Sequence, residues 1–203
     1  VAQAMRALDA ALAVLCGIAP ADKGATAPRI DPAALAAAAE LDDLPGLFET
    51  ALTWDAAKLA PMRAAMIGWC LSRPSLRDIA LVQWASDVDG GDLAIRAQQR
   101  WESGGDYPAD VAEVMWGEGP RPDPQRLETA LELCRTVAAL LPNRRRAGAL
   151  AVCGWLAWAL GRSTHADHYA TQALHSEPAH GLAAIVHSFV AAAHLPDWAF
   201  RPC

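Results

Sequence analysis

The sequence predicts an all-α protein, a helical bundle in which the last helices pair as antiparallel hairpins. Alanine is by far the commonest of its 203 residues, whereas Phe and Tyr number only three and two. Because alanine loses no side-chain entropy in a helix, this balance favours helix over sheet. Apolar residues also recur at steps of three and four along much of the chain, which is the spacing of one helix face.

Two helices and a loop are predicted at the N-terminal end. Residues 2–16 carry apolar side chains at helical spacing, and residues 19–29, rich in Gly, Pro and Ala, are predicted to form a loop. Asp31 and Pro32 then supply a capping carboxylate and a first-turn proline. They predict a short helix that runs to about Glu40.

Four further helices are predicted before residue 106. Asp43 can cap the first, and the second ends before Pro74. Ser75 is predicted to cap the third. The sequence Asp-Val-Asp-Gly-Gly at 87–91 is predicted to break the chain before the fourth helix, which a Gly-Gly pair at 104–105 ends.

The strongest internal boundary is the sequence Gly-Glu-Gly-Pro-Arg-Pro-Asp-Pro at 117–124, because each of its prolines removes a backbone donor. We interpret residues 1–203 as a single all-helical domain with two sub-regions. Residues 1–116 are predicted to form an irregular helical bundle, and residues 124–195 are predicted to form helix hairpins. Asp123 and Pro124 repeat the capping carboxylate and first-turn proline, and they predict a long helix that opens the second sub-region and ends at Pro142.

Small residues in the second sub-region are spaced as in a helical repeat. Gly154, Gly161, Ala166, Ala173 and Pro178 follow one another at intervals of seven, five, seven and five residues. This spacing is typical of a tetratricopeptide-like pair of helices, which buries its apolar face only against a neighbouring pair. The first glycine would let a neighbouring helix approach, the second would end its own helix in a left-handed conformation, and the proline would open the next helix.

The helix before this pair is predicted to be the second half of a degenerate repeat. Ala130 precedes Pro142 by twelve residues, as Ala166 precedes Pro178. The two prolines are 36 residues apart, against the 34 of a tetratricopeptide unit. We place the two additional residues in the turn at 143–146.

Charge and hydropathy argue against two classes of partner. The chain has 17 basic and 23 acidic residues, a net charge of -6, which opposes binding to a nucleic acid backbone. The apolar stretches at 147–160 and 179–195 are shorter than the roughly 20 residues that a bilayer requires. They are predicted to be buried core helices, and neither nucleic acid nor a membrane is an expected partner.

The cysteines and the first residue bear on the cellular setting. The five cysteines are odd in number and scattered, and three lie in apolar helical runs, where free thiols behave as small hydrophobes. We therefore expect a reducing cytoplasm. The chain begins at Val1 rather than at a methionine and lacks the pattern of a signal peptide, and one interpretation is that it is part of a longer protein. The cysteines are Cys16, Cys70, Cys134, Cys153 and Cys203.

All six histidines follow residue 164, which raises two hypotheses. His165 and His168, with Asp167 between them, could ligate a metal if a third ligand came from another helix, but no metal site is expected. His180, His187 and His194 recur every seven residues on the last predicted helix. We interpret them as a half-exposed or partner-facing edge, with a pH-sensitive interface as the alternative.

Three other patterns are interpreted structurally. Residues 87–92 begin like a calcium loop but have Gly and Asp where a ligand and a glycine are needed, so we interpret them as a helix cap and turn. Arg144 to Arg146 could bind a phosphate or an acidic peptide, although cations after a helix C-terminus also offset the helix dipole. Trp155 and Trp158 are predicted to pack in the core, with an aromatic peptide-binding groove as the alternative. With neither a nucleophile elbow nor a glycine-rich phosphate loop, no catalytic, cofactor-binding or metal-binding residue is assigned.

A larger pattern resembles a known family. The block from Leu131 to Pro196, with the run Ala-Val-Cys-Gly-Trp-Leu-Ala-Trp-Ala-Leu-Gly at 151–161 and the pair Glu177-Pro178, resembles the C-terminal part of a bacterial family catalogued as domain of unknown function 4192. The stretch Arg-Asp-Ile-Ala-Leu at 77–81 is similar to one that precedes it in that family. The resemblance covers roughly the last 130 residues. It implies an α/β N-terminal half in relatives and no assigned activity.

The sequence therefore predicts a protein-interaction or scaffolding module and not an enzyme. A stack of helix hairpins presents a concave surface to a peptide, or to another domain of the same protein. The alternative is a regulatory or substrate-binding half of a larger bacterial enzyme whose catalytic N-terminal part is absent from this chain.

Overall fold

The computed structural model describes residues 1–17 and 30–200. Within these ranges the chain forms eleven α-helices and no strand, so the predicted all-α helical bundle is confirmed. The predicted loop at 19–29 and Cys203 lie outside the described residues. The helices are α1 (Ala2–Leu15), α2 (Pro32–Glu40), α3 (Leu44–Ala51), α4 (Pro61–Leu71), α5 (Pro74–Ala85), α6 (Val88–Glu102), α7 (Ala109–Trp116), α8 (Pro124–Leu140), α9 (Ala147–Ala159), α10 (Ser163–Ser176) and α11 (Gly181–Ala191).

Helix α9 is the centre of the molecule. Every one of its residues is buried, and it packs against α4, α5, α8, α10 and α11. A helix that is apolar on all sides must be covered on all sides, which is why this sequence takes the central position. One hydrophobic cluster draws buried residues from all eleven helices, from Met5 in α1 to Phe189 in α11.

Glycines let the neighbours of α9 come close and let α9 end. A Cβ added at Gly148 would lie 2.2 Å from the carbonyl oxygen of Leu71, and one at Gly154 would lie 3.3 Å from that of Ala166. Gly161 has a φ of +75°, and the two hydrogen bonds of a Schellman turn close the helix around it. The predicted packing role of Gly154 and the predicted terminating role of Gly161 are confirmed.

Aspartate caps open four of the α-helices, each at a place where the sequence predicts a helix cap. The Asp31, Asp43 and Asp123 carboxylates each accept a hydrogen bond from a first-turn amide, at 2.9 to 3.0 Å. The predicted cap at Ser75 is wrong, because α5 already begins at Pro74 after Arg73. Proline fits the first helical position because it lacks the N–H that would be unpaired there.

The predicted chain break at 87–91 is also wrong. Asp87 caps α6 by accepting a hydrogen bond from Gly90 N at 2.9 Å, and the helix continues through both glycines. A Cβ at Gly91 would lie 2.2 Å from Oε1 of the buried Gln83. Helix α6 thus contains glycine where it crosses α5 closely, and tertiary packing overrides the weak helix propensity.

Two more boundaries differ from the prediction. Helix α7 is not among the predicted elements, and Gly117 ends it with a φ of +85°. Helix α11 does not open at Pro178; it begins at Gly181, with His180 as its cap. The Nδ1 atom of His180 accepts a hydrogen bond from Ala183 N at 3.3 Å, a role that an oxygen-bearing residue usually takes.

The last three helices pack as consecutive hairpins. Helix α10 packs against α9 and α11, and α11 packs against α9 as well, across short connections. Helix α8 packs against α9, α4 and α5, whereas α7 packs against α5 and α6. This arrangement is compatible with one tetratricopeptide-like unit at α9 and α10. Assignment of these helices to that repeat class stays a prediction.

A polar network joins the two predicted sub-regions. Arg126 of α8 makes a two-pronged ion pair with Glu49 of α3, and its guanidinium also donates to the main-chain oxygen of Gln83 in α5. The Gln83 amide donates in turn to Pro45 O at 2.9 Å and to Glu49. Helices α3, α5 and α8 are therefore joined by a network in which Gln83 is buried, Arg126 is 16% exposed and Glu49 is 38% exposed.

Candidate functional site

A concave site with apolar walls lies where α5, α6, α7 and α11 meet. Its volume is about 230 Å³, smaller than the usual cavity for a small-molecule ligand. We call it the α7 groove. Its lining residues are Arg77, Asp78, Gln98, Tyr107, Ala112, Met115, Trp116, Leu182 and Ile185.

The α7 groove holds an ion pair between neighbours in the sequence. The Nε and Nη2 atoms of Arg77 both lie 2.8 Å from Oδ1 of Asp78. The Arg77 side chain is 10% exposed and that of Asp78 is 38% exposed, so the cation is buried and its carboxylate partner is partly exposed. Burial raises the pKa of Asp78 above its ordinary value, and Arg77 opposes that rise.

Tyr107 adds a hydrogen-bonding group to the same wall. Burial raises the pKa of its phenol, and the nearby charge of Asp78 raises it further. The Tyr107 hydroxyl therefore keeps its proton at neutral pH and can act as a donor. With the Gln98 amide, the groove offers donors and acceptors beside an apolar surface.

The apolar wall of the α7 groove is partly open to solvent. Trp116 is 51% exposed and Ile185 is 38% exposed, and both line the groove. The Trp116 ring packs edge-on against Phe189, with ring centroids 5.7 Å apart. An indole held on one side by the core and free on the other is a rigid surface for contact with a partner.

The C-terminal end of α7 is fixed to the core beneath it. Trp155 Nε1 donates to the Met115 carbonyl at 3.1 Å, and the Asp197 amide donates to Gly117 O at 2.8 Å. A Cβ at Gly117 would lie 2.7 Å from both Pro196 and Trp158. The groove wall is therefore anchored to α9 and to the chain after α11.

Trp155 and Trp158 are core residues, as predicted. Both are fully buried, and Trp158 Nε1 donates to His194 O at 2.7 Å. They do not line the α7 groove. The tryptophan that lines the groove is Trp116, on a helix that the sequence did not predict.

The three histidines at seven-residue spacing do not share one edge. His180 is buried and caps α11, where burial lowers its pKa and the charge of Arg77 adds to the effect. His187 is exposed, and its Nδ1 lies 3.0 Å from Oδ1 of Asp167 on α10. His194 follows α11 and stacks on Trp158, with ring centroids 5.8 Å apart. The predicted shared edge is wrong because His180 and His194 lie outside α11.

His165 and His168 stay apart from any ligand set. Asp167, between them in sequence, pairs with His187, and His168 Nε2 lies 2.8 Å from the Gln172 amide nitrogen. Among residues 1–17 and 30–200, no three His, Cys, Asp or Glu side chains are placed to hold a metal ion.

Two of the three consecutive arginines border a second cavity. Arg144 and Arg145 lie in a 3₁₀ turn after α8 and line a space of about 410 Å³, which we call the basic cavity. Arg145 pairs with Asp9 of α1 at 3.0 Å rather than with the carbonyl end of α8. The lining residues are Ser72, Arg73, Arg144, Arg145, Ala147, Gly148, Glu177 and His180.

Most residues of the α7 groove give no signal in the sequence that could have found them. Arg77 and Asp78 belong only to the stretch at 77–81 that is similar to one in a known family. Three other lining residues, Tyr107, Trp116 and Leu182, belong to no functional motif. They come together because α7 packs on α5 and because the hairpin of α10 and α11 returns the chain to α9.

The chain shows no significant match to any protein-family model, curated protein or solved structure with which it was compared. The resemblance of residues 131–196 to domain of unknown function 4192 therefore stays a prediction. Across the described ranges, no helix has both the length and the apolar character needed to cross a bilayer.

Proposed function

We propose that this chain is a protein-interaction or scaffolding module whose α7 groove binds a peptide segment of a partner protein or of another domain of the same protein. The observation that carries the proposal is the half-exposed Trp116 on a fixed wall of the same groove that the charged pair of Arg77 and Asp78 lines. Aromatic anchors beside polar groups are typical of interface hot spots.

The size of the α7 groove supports a peptide as its occupant. About 230 Å³ suits one or two anchoring side chains rather than an entire cofactor. The wall formed by Met115, Trp116 and Ile185 would contact the apolar face of the peptide. Asp78, Gln98 and Tyr107 would accept or donate hydrogen bonds at its polar edge.

The cellular setting is part of the same proposal. Cys70, Cys134 and Cys153 are buried free thiols, which suits a reducing cytoplasm. The net charge of -6 favours a protein partner over a nucleic acid. We propose binding without catalysis, and the regulatory half of a larger bacterial enzyme remains the alternative function.

A peptide-display selection against the purified chain tests the proposal. We expect the selected peptides to bind the parent protein and to lose about tenfold or more in affinity when Trp116→Ala removes the anchor, since interface tryptophans commonly contribute at least that much. Trp101→Ala is the matched control, because Trp101 is similarly exposed, at 58%, and does not line the groove. Peptides that bind both variants equally would exclude the α7 groove as the site.

A further inference from the structure

The basic cavity gathers cations on an otherwise acidic chain. Arg73 precedes α5, His180 caps α11, and Arg144 and Arg145 precede α9, so the N-terminal ends of three helices border one space. The carboxylates at this place are Glu177, in the lining, and Asp9, which pairs with Arg145. The local excess of positive charge contrasts with the net charge of -6 for the whole chain.

Two of the guanidinium groups are already held in position. Arg73 lies over the Trp69 ring, 3.5 Å from its centroid, and its Nη1 donates to Trp69 O at 2.8 Å. Arg145 Nη1 lies 3.0 Å from Oδ2 of Asp9. A ligand that meets these groups therefore orders few side chains when it binds.

Other donors at this place are unused. Within residues 1–17 and 30–200, the exposed Arg144 side chain makes no hydrogen bond or ion pair, and the buried Nε of Arg146 has no hydrogen-bond partner. Arg144 and Arg146 both line an adjoining cavity of about 340 Å³. Arg144 and Arg146 thus carry guanidinium donors without a partner among the described residues, beside two cavities that share Arg144 in their linings.

His180 contributes a neutral donor. Its Nδ1 accepts the hydrogen bond from Ala183 N, and burial lowers the pKa of the ring, so the proton of the neutral imidazole resides on Nε2. Ala147 and Gly148, the first two residues of α9, line the same space. They precede Leu150, whose N–H makes the first main-chain bond of that helix, to Arg146 O at 2.9 Å.

We propose that the basic cavity binds a small anion that carries phosphate groups. Guanidinium forks match the spacing of phosphate oxygens, and first-turn amides of a helix favour the same charge. A volume of about 410 Å³ lies in the range of small-molecule sites. The proposal goes beyond the peptide-binding function, since it concerns a different cavity and needs no protein partner.

Titration calorimetry of the full chain with inorganic pyrophosphate at low ionic strength tests the site. We expect saturable binding of one pyrophosphate per chain, weakened about tenfold or more by Arg144→Gln, which removes charge-assisted hydrogen bonds. Arg96→Gln is the matched control, because it makes the same charge change on an exposed residue of α6 outside the cavity. Absence of saturable binding, or an equal loss in both variants, would overturn the proposal.

Three further measurements identify the source of the phosphate and test whether the variants fold. A phosphoserine tetrapeptide should bind more weakly than pyrophosphate, and tighter binding of the peptide would overturn assignment to a small anion. At a pyrophosphate concentration that half-saturates the parent protein, the amide resonance of Gly148 should shift equally in the parent protein and in Arg96→Gln, and much less in Arg144→Gln. Circular dichroism spectra that coincide among the three proteins establish that the loss of binding is local.

Discussion

Ala193 carries a conformational strain that a single substitution can relieve. Within the part of the chain that the structure describes, it is the one residue other than glycine with a positive φ, at 52°. It ends α11 in a Schellman turn, with Ala193 N bonded to Val190 O and His194 N bonded to Phe189 O. The turn places His194 against the Trp158 ring. The strained residue therefore lies at the start of the segment whose Asp197 amide bonds to Gly117 at the end of α7.

Ala193→Gly should therefore stabilise the protein. The left-handed conformation costs an alanine about 1–2 kcal/mol, which glycine avoids. The greater conformational freedom of glycine in the unfolded chain offsets part of this gain, so we expect the free energy of unfolding to rise by about 0.5 kcal/mol. Ala191→Gly, in the last turn of α11, should instead lower stability by about 0.5–1 kcal/mol. Urea unfolding of both variants measures the difference, and a loss of stability in Ala193→Gly would contradict the strain.

At the scale of elements, the aspartate caps could be predicted from the sequence, whereas the His180 cap and the helix crossings could not. Asp31, Asp43 and Asp123 sit next to prolines or apolar runs, and this local chemistry determines a helix start. The crossing of α6 over α5 depends on Gly91 meeting Gln83, eight residues earlier in the chain. Helix α7 is short and lacks a side-chain cap, so its existence depends on packing, and so does the groove that it forms.

The network of Glu49, Gln83 and Arg126 predicts how acid acts on the bundle. The hydrogen bonds from Arg126 lower the pKa of Glu49 in the folded protein. Since the folded pKa lies below the unfolded value, the stabilising contribution is complete above the unfolded pKa and is lost as the pH falls through the folded one. Acid should therefore loosen the junction of α3, α5 and α8.

Glu49→Gln should remove this part of the acid sensitivity. Denaturant unfolding from neutral pH to about pH 3 should give a shallower fall in stability for the variant than for the parent protein, because its amide does not titrate. At neutral pH the variant should be less stable by about 1–2 kcal/mol, since a charge-assisted pair is lost. Glu132→Gln, on the exposed side of α8, is the control and should follow the parent curve.

At the scale of the whole molecule, the hydrophobic cluster joins the two sub-regions that the proline-rich boundary separates in sequence. Cys70 lies in α4, before that boundary, whereas Cys134 and Cys153 lie in α8 and α9, after it, and all three are fully buried in the same cluster. Burial raises the pKa of Cys70 to about 12 and raises the pKa values of Cys134 and Cys153 as well. A thiol so placed reacts only after the chain around it opens.

Thiol labelling can therefore establish whether residues 1–203 unfold as one domain. We expect single-cysteine variants that retain Cys70, Cys134 or Cys153, with alanine at the other four positions, to react with Ellman's reagent at one common rate, equal to the rate of helix loss by circular dichroism. A variant that retains only the exposed Cys16 should react in the folded state. Faster labelling of Cys70 than of the other two would show that α4 opens independently, and the single-domain prediction would fail.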